Sequence, residues 1–334
     1  MKKKIKYPVL FITAVFVALF GAFSCTSLIT EVSPENLPDA QPKLVVTSFI
    51  SPQDKMVKVH VGSSSPIFTD VPFDKDIYRV VNGDTVYYNF GDYISDAKVV
   101  MSSDQGKVEL AYDHQNNWYS FIPGENTLRI EAGKKYWLEV SRKEKKVTAE
   151  CTVPLIATPV GKVEVDTITR NYMNTEEIRV ITDLDWNPEN NGKVYYKLRG
   201  ASHIEIRGYS SVHSRVVVPF RFENTGLQKN ESGVRRSFRA RGDLTFSSAY
   251  APDVKVSFTV KLVQLDLMSV DENYYKFHES VYKFDRSNDN PFAEPTQVYN
   301  NISGGLGCFG AANHYVLDYR MNLDGTAAAL PVLP

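Results

Sequence analysis

Met56-Val57-Lys58-Val59-His60-Val61 (MVKVHV, residues 56–61) puts three valines on one side of an extended chain and Lys58 and His60 on the other. Side chains alternate faces in a strand, so this period of two marks a strand with one face buried and one wet. The pattern spreads outward from there. KLVVTSFI begins at Lys43, and DAKVVMS, GKVELAY, NWYSF, KKYWLEV and KKVTAECTV follow. SSDQG separates two of them, with Gly106 as a turn residue. Short alternating strands with turn signals about every ten residues predict an antiparallel β-sandwich over residues 43–155, immunoglobulin-like in size. Asp74 to Gly91 reads as an inserted excursion.

PLIATPVG (Pro154 to Gly161) reads as a hinge into a second β-rich domain, residues 156–334. Alternation resumes there in EIRVITDLDW, KVYYKLRG, SHIEIRGY, RVVVPFRFE and VKVSFTVKLVQLD. No strand–helix–strand rhythm occurs, which argues against a parallel α/β fold. One helix is predicted at about 270–286. Ser269-Val270-Asp271-Glu272 has capping-box spacing. Tyr274, Phe277, Val281 and Phe284 then recur at helical spacing, with Glu272–Lys276 and Glu279–Lys283 on the wet side. The expected fold class is all-β: two antiparallel β-sandwich-like domains with one amphipathic helix in the second.

The beginning of the chain reads as an address. Lys2, Lys3, Lys4 and Lys6 precede 17 uncharged residues from Tyr7 to Phe23, and Ala22-Phe23-Ser24 places small residues before Cys25. That is the layout of an export signal, residues 1–24. A cysteine at the cleavage point predicts lipidation of Cys25 and anchoring to a membrane through that lipid. The alternative of a membrane-spanning helix needs about 20 apolar residues. Residues 25–42 are polar and proline-bearing, and read as a flexible tether. Without residues 1–24 the chain has 34 basic and 39 acidic residues. That balance gives no general attraction to nucleic acid, and no nucleic-acid partner is expected.

Motifs that carry chemistry are scarce. GLGCFG (Gly305 to Gly310) matches G-x-G-x-x-G in letters but is followed by a strand-like stretch, so it reads as a glycine-rich packing bend. None of the six histidines stands at metal-site spacing, and DRSNDN (Asp285 to Asn290) lacks the glycine and distal glutamate of a calcium loop. No metal and no cofactor are expected. Arg235, Arg236, Arg239 and Arg241 form a basic stripe that reads as a solvated strand face. Trp118, Trp137 and Trp186 read as core residues, with ligand stacking as the sharper alternative. In an exported chain Cys151 and Cys308 are a disulfide candidate, with two separate buried thiols as the equal alternative. No catalytic residue is assigned.

Several segments together resemble a known family. PKLVVTSFISPQD, ISDAKVVMSSDQG, EAGKKYWLEV, VTAECTVP, ENYYKFHESVYKF and NPFAEPTQVYNNISGGLGCFGA are similar to the Bacteroidota lipoprotein family called domain of unknown function 4249. The resemblance implies an outer-membrane lipoprotein associated with a TonB-dependent transporter, and it supplies no catalytic residues. In a host of that group Asp84-Thr85-Val86 and Asp166-Thr167-Ile168 resemble an O-glycosylation sequon, with Thr85 and Thr167 as acceptors. The expected role is therefore a non-enzymatic accessory or ligand-binding partner of a TonB-dependent nutrient transporter, with a small nutrient ligand of unknown identity. A surface adhesin or assembly subunit is the first alternative. A hydrolase with a site assembled from distant residues is the second. The sequence leaves open which side of the outer membrane the protein faces.

Overall fold

Alternation becomes strand after strand in the computed structural model, which describes residues 42–64, 76–81, 84–89, 93–156, 164–172, 175–186, 193–207, 213–231, 236–247, 257–288, 296–321 and 327–329. The first ten strands are β1 (Leu44–Ile50), β2 (Val57–Ser63), β3 (Asp76–Val81), β4 (Asp84–Asn89), β5 (Lys98–Ser103), β6 (Gly106–Glu109), β7 (Ala111–Asp113), β8 (Trp118–Phe121), β9 (Lys135–Arg142) and β10 (Lys145–Thr152). The next eight are β11 (Glu164–Tyr172), β12 (Thr175–Trp186), β13 (Lys193–Arg207), β14 (His213–Pro219), β15 (Arg221–Phe222), β16 (Leu227–Glu231), β17 (Arg236–Ser247) and β18 (Ser257–Val270). Helix α1 (Glu272–Asn288), β19 (Leu306–Met321) and β20 (Ala327–Ala329) complete the order. The all-β expectation holds, with one long helix, after β18, among the described residues.

The strands form four sheets. The largest runs β14-β13-β18-β19-β1-β2-β8-β7, with β16 on β13 and β20 on β19. The others are β10-β9-β5-β6, β11-β12-β17-β15 and the hairpin β3-β4, which falls in the predicted excursion. MVKVHV reads out as expected: Val57, Val59 and Val61 are buried and Lys58 and His60 are partly exposed. Together with Val46, Ile50, Val99, Met101, Tyr136, Leu138 and Val140 they fill the first core. A second core gathers Tyr196, Leu198, Ile204, Val263, Leu265 and Leu267. A small third cluster, Tyr195, Met268, Val270, Tyr274 and Ala312, lies where α1 meets the opposite face of the same strands.

Two features depart from the strand-by-strand reading. First, β1 pairs with β19 in parallel, Val45 opposite Leu306 and Ile50 opposite Ala311. Ile302, Phe309 and Ala311 consequently belong to the first core although they come from the end of the chain. The rest of β19 pairs with β18, so one strand serves both cores and the large sheet runs continuously past residue 155. Second, the helix cap is Asp271 and not Ser269. Ser269 and Val270 are still in the ladder, opposite Tyr196 and Tyr195, so the first free side chain able to cap is the next one. The Asp271 Oδ1 accepts the Tyr274 N–H at 2.8 Å, as an N-cap does. The expected pairs are present, Lys276–Glu272 at 3.0 Å and Lys283–Glu279 at 3.1 Å.

GLGCFG is neither a dinucleotide loop nor only a bend. Leu306 to Gly310 are strand β19 itself. Gly307 has φ of 115°, and a Cβ there would run into the Val46 carbonyl of the neighbouring strand. Only glycine meets both conditions, and the close approach lets β1 and β19 pair.

A candidate ligand cleft beside the helix

The site follows from strand alternation in the second half. With Leu198, Leu265 and Leu267 turned into the core, their neighbours Lys197, Arg199, Gln264 and Asp266 share the opposite face. Register sets Arg199 directly opposite Asp266 and Asp266 opposite Val316. His314 sits one diagonal step away, opposite Met268, within reach of a long side chain. Arg199 Nη2 donates to Asp266 Oδ2 at 2.7 Å, and His314 Nδ1 lies 2.9 Å from the same oxygen. The three side chains are 17%, 15% and 18% exposed, and Lys197 is only 7% exposed.

Burial works to raise the Asp266 pKa. The His314 hydrogen bond and the fields of His314 and Arg199 outweigh it and hold the carboxyl below the usual carboxylate range. Asp266 is thus ionised near neutrality. Its other oxygen, Oδ1, is buried and has no hydrogen-bond donor. The β1–β2 turn closes one side of the cluster. Gln53 Nε2 donates to Asn313 Oδ1 at 2.8 Å, and the His314 N–H donates to Gln53 Oε1 at 3.2 Å. Asp54 in that turn is pushed up by burial, against the fields of His314, Lys58 and Arg199.

A cleft of about 760 Å³ opens over this floor. Helix α1 supplies one wall with His278, Val281, Tyr282 and Asp285, and Val217 and Pro219 of β14 supply another. Val217 and Val316 at the rim are 57% and 40% exposed. The volume lies within the range of small-ligand sites, roughly 300–1,000 Å³. The chemistry on offer is a charged floor between apolar walls. Sequence reasoning did not single out Arg199, Asp266 or His314. The signal available was one acid in the mostly apolar run LVQLDLMSV, opposite the arginine of KVYYKLRG.

A second polar cluster forms near the start of α1. The Asp271 carboxylate accepts from the amides of Tyr274 and Ala311 at 2.8 and 3.1 Å, and the Thr152 amide also donates to it. Burial outweighs these donors and pushes its pKa up to about 6. Cys151 and Cys308 lie beside it as free, buried thiols, and Cys308 Sγ donates to the Asn273 carbonyl at 3.6 Å. Burial pushes both thiols well up, and the Asp271 charge adds to the effect.

The remaining expectations distribute as follows. Cys25 and the tether up to residue 41 lie outside the described residues. Thr85 stands in β4 opposite Val80, and Thr167 in β11 opposite Val180. Of the basic stripe, Arg236, Arg239 and Arg241 are in β17, and Arg235 lies outside the described residues. Trp118 packs edge-on to His60 at 5.7 Å with Lys58 Nζ 4.4 Å from its ring. Trp137 is 42% exposed on β9, and the Trp186 side chain lies outside the described residues. Asp285 to Asn288 continue α1. Among the described residues no cluster of three or more His, Cys, Asp or Glu is placed to hold a metal, and no helix is long and apolar enough to cross a membrane.

A family model described as "Domain of unknown function (DUF4249)" matches residues 29–316. No curated protein matches the chain.

Proposed function

The chain belongs to the family described as Domain of unknown function (DUF4249), and we propose that it is a non-enzymatic, ligand-holding lipoprotein of the outer membrane. Acylated Cys25 anchors it, and it serves beside a TonB-dependent nutrient transporter. The observation that carries the ligand-holding role is the cleft over Lys197, Arg199 and Asp266. Arg199 and Asp266 are fixed by their ion pair, which suits fixed donors and acceptors for binding. The anchor is supported by the positive, apolar and small-residue order that ends at Cys25. Lipid restricts the protein to the membrane plane and raises its effective concentration near a membrane partner.

The test is affinity isolation of the tagged, lipidated chain from detergent-solubilised outer membranes, with mass spectrometry of what accompanies it. The expected outcome is a stoichiometric TonB-dependent transporter that is lost in Cys25→Ala. A chain that comes down alone, or with surface fibres, overturns the transporter role.

A further inference from the structure

We propose that an open stretch of the β19 edge, beside the cleft, is closed by the chain's own residues Leu330 to Pro334, which carry β20 onward past Asp318 and Val316 as an edge strand. These five residues lie outside the described ones, and what points to them is the register at the two ends of the stretch. β1 pairs with β19 as far as Ala311, and β20 pairs with Tyr319, Arg320 and Met321. Backbone groups alternate sides along a paired strand. The Ala311 N–H and C=O face Asp271, on the β18 side. The His314 N–H faces the other way and donates to Gln53 Oε1 in the β1–β2 turn at 3.2 Å. Val316, Asp318 and Arg320 share the His314 side. Arg320 has Ala328 opposite it there. Among the described residues no strand stands opposite Val316 and Asp318 on that edge, and such an edge invites one.

The residues after β20 suit that edge one by one. Continuing the antiparallel register from Ala329 opposite Tyr319 sets Leu330 opposite Asp318, Val332 opposite Val316 and Pro334 opposite His314. The ladder needs inward N–H groups at 330 and 332, and leucine and valine have them. Pro331 falls where the N–H would face out, the placement that an edge strand tolerates. Pro334 falls opposite the amide that Gln53 already holds, so the ladder closes there. The side chains agree. Val316 is 40% exposed on the cleft face, and Val332 covers it as a cross-strand pair. Leu333 shares the face of Tyr315 and Leu317, which pack against the second core. A strand from another molecule would compete with five residues already tethered beside the edge, whose effective concentration there is high.

The experiment is amide hydrogen exchange on the full chain, on a chain stopped after Ala329, and on Val332→Pro and Leu333→Pro. The Val316 amide is expected to be protected in the full chain. It should exchange roughly tenfold faster in the shortened chain and in Val332→Pro, the factor that about one net hydrogen bond carries. The Tyr315 and Leu317 amides, which face β18, should keep their rates and so report that the sheet is intact. Leu333→Pro loses an N–H that faces out and should match the full chain. An equal Val316 rate with and without residues 330–334 overturns the proposal. So does a Leu333→Pro variant that behaves as Val332→Pro does, since the register would then be one residue off. Protection of Val316 that disappears on dilution also overturns it, because a second copy of the chain would then hold the edge.

Discussion

Asp271 carries more than one duty in a single carboxylate. It caps α1, receives the Ala311 amide of β19, and is also reached by the Thr152 amide of β10. Its pKa is raised from 3.8 to about 6 because burial outweighs those donors. The folded chain therefore holds this proton more tightly than the unfolded chain. The contribution to stability is fullest below about pH 4 and is lost as pH rises to about 6. Asp271→Asn removes that titration. The stability gap between variant and wild type, followed by chemical denaturation, should shift in favour of the variant between pH 4 and 6. The size is on the order of 2 kcal/mol at about 1.4 kcal/mol per pKa unit. Asp271→Ala should instead lower stability by about 1–2 kcal/mol at pH 7 through loss of the cap. At this scale the sequence was partly legible. The Ser269–Glu272 pattern located the helix start, but not that the ladder would hold Ser269 and pass the capping role to Asp271. His314 was visible only as one of six histidines, because its partners Arg199 and Asp266 come from other strands. Gly307→Ala is the sharpest residue-level test of β19. With φ at 115° and the Val46 carbonyl in the way, it should cost about 2 kcal/mol or more and lower the melting temperature by several degrees.

Among the elements, β19 has the widest reach. Its first half lies against β1 and its second against β18. Phe309 is fully buried in the first core, so Phe309→Ala should destabilise the chain by about 3–5 kcal/mol, read as a loss in denaturant midpoint. The same truncation at Phe284, which is 39% exposed on α1, should fall within about 0.5 kcal/mol of wild type. Strands were legible because each writes its own period of two. Their partners were not, because pairing depends on residues far along the chain. Val45 and Leu306 share a register, and nothing local to either stretch announces it. The apolar face of α1 was legible in part, with Tyr274 buried and Phe284 exposed, and the cleft the helix walls was not, since that cleft needs β13, β14, β18 and α1 together.

For the whole molecule, the division at about residue 155 is crossed by the sheet that joins the two ends. A chain cut to residues 43–156 keeps β1 to β10 but lacks Ile302, Phe309 and Ala311 of its first core. One side of β1 would also be an open edge, with unpaired backbone groups. That fragment is expected to show no cooperative thermal transition by circular dichroism, whereas the full chain does. A fragment that melts cooperatively would show that β19 is dispensable to the first sandwich.

The position of β1 between β2 and β19 also has a mechanical side. A pull on the backbone just ahead of Leu44, directed along the strand, bears on two ladders at once. The register with β19 spans six residue pairs and that with β2 four. Hydrogen bonds that lie across the strand are then loaded in shear and share the force, where an edge strand pulled sideways would peel open one bond at a time. The first strand of the described fold is thus one held on both sides.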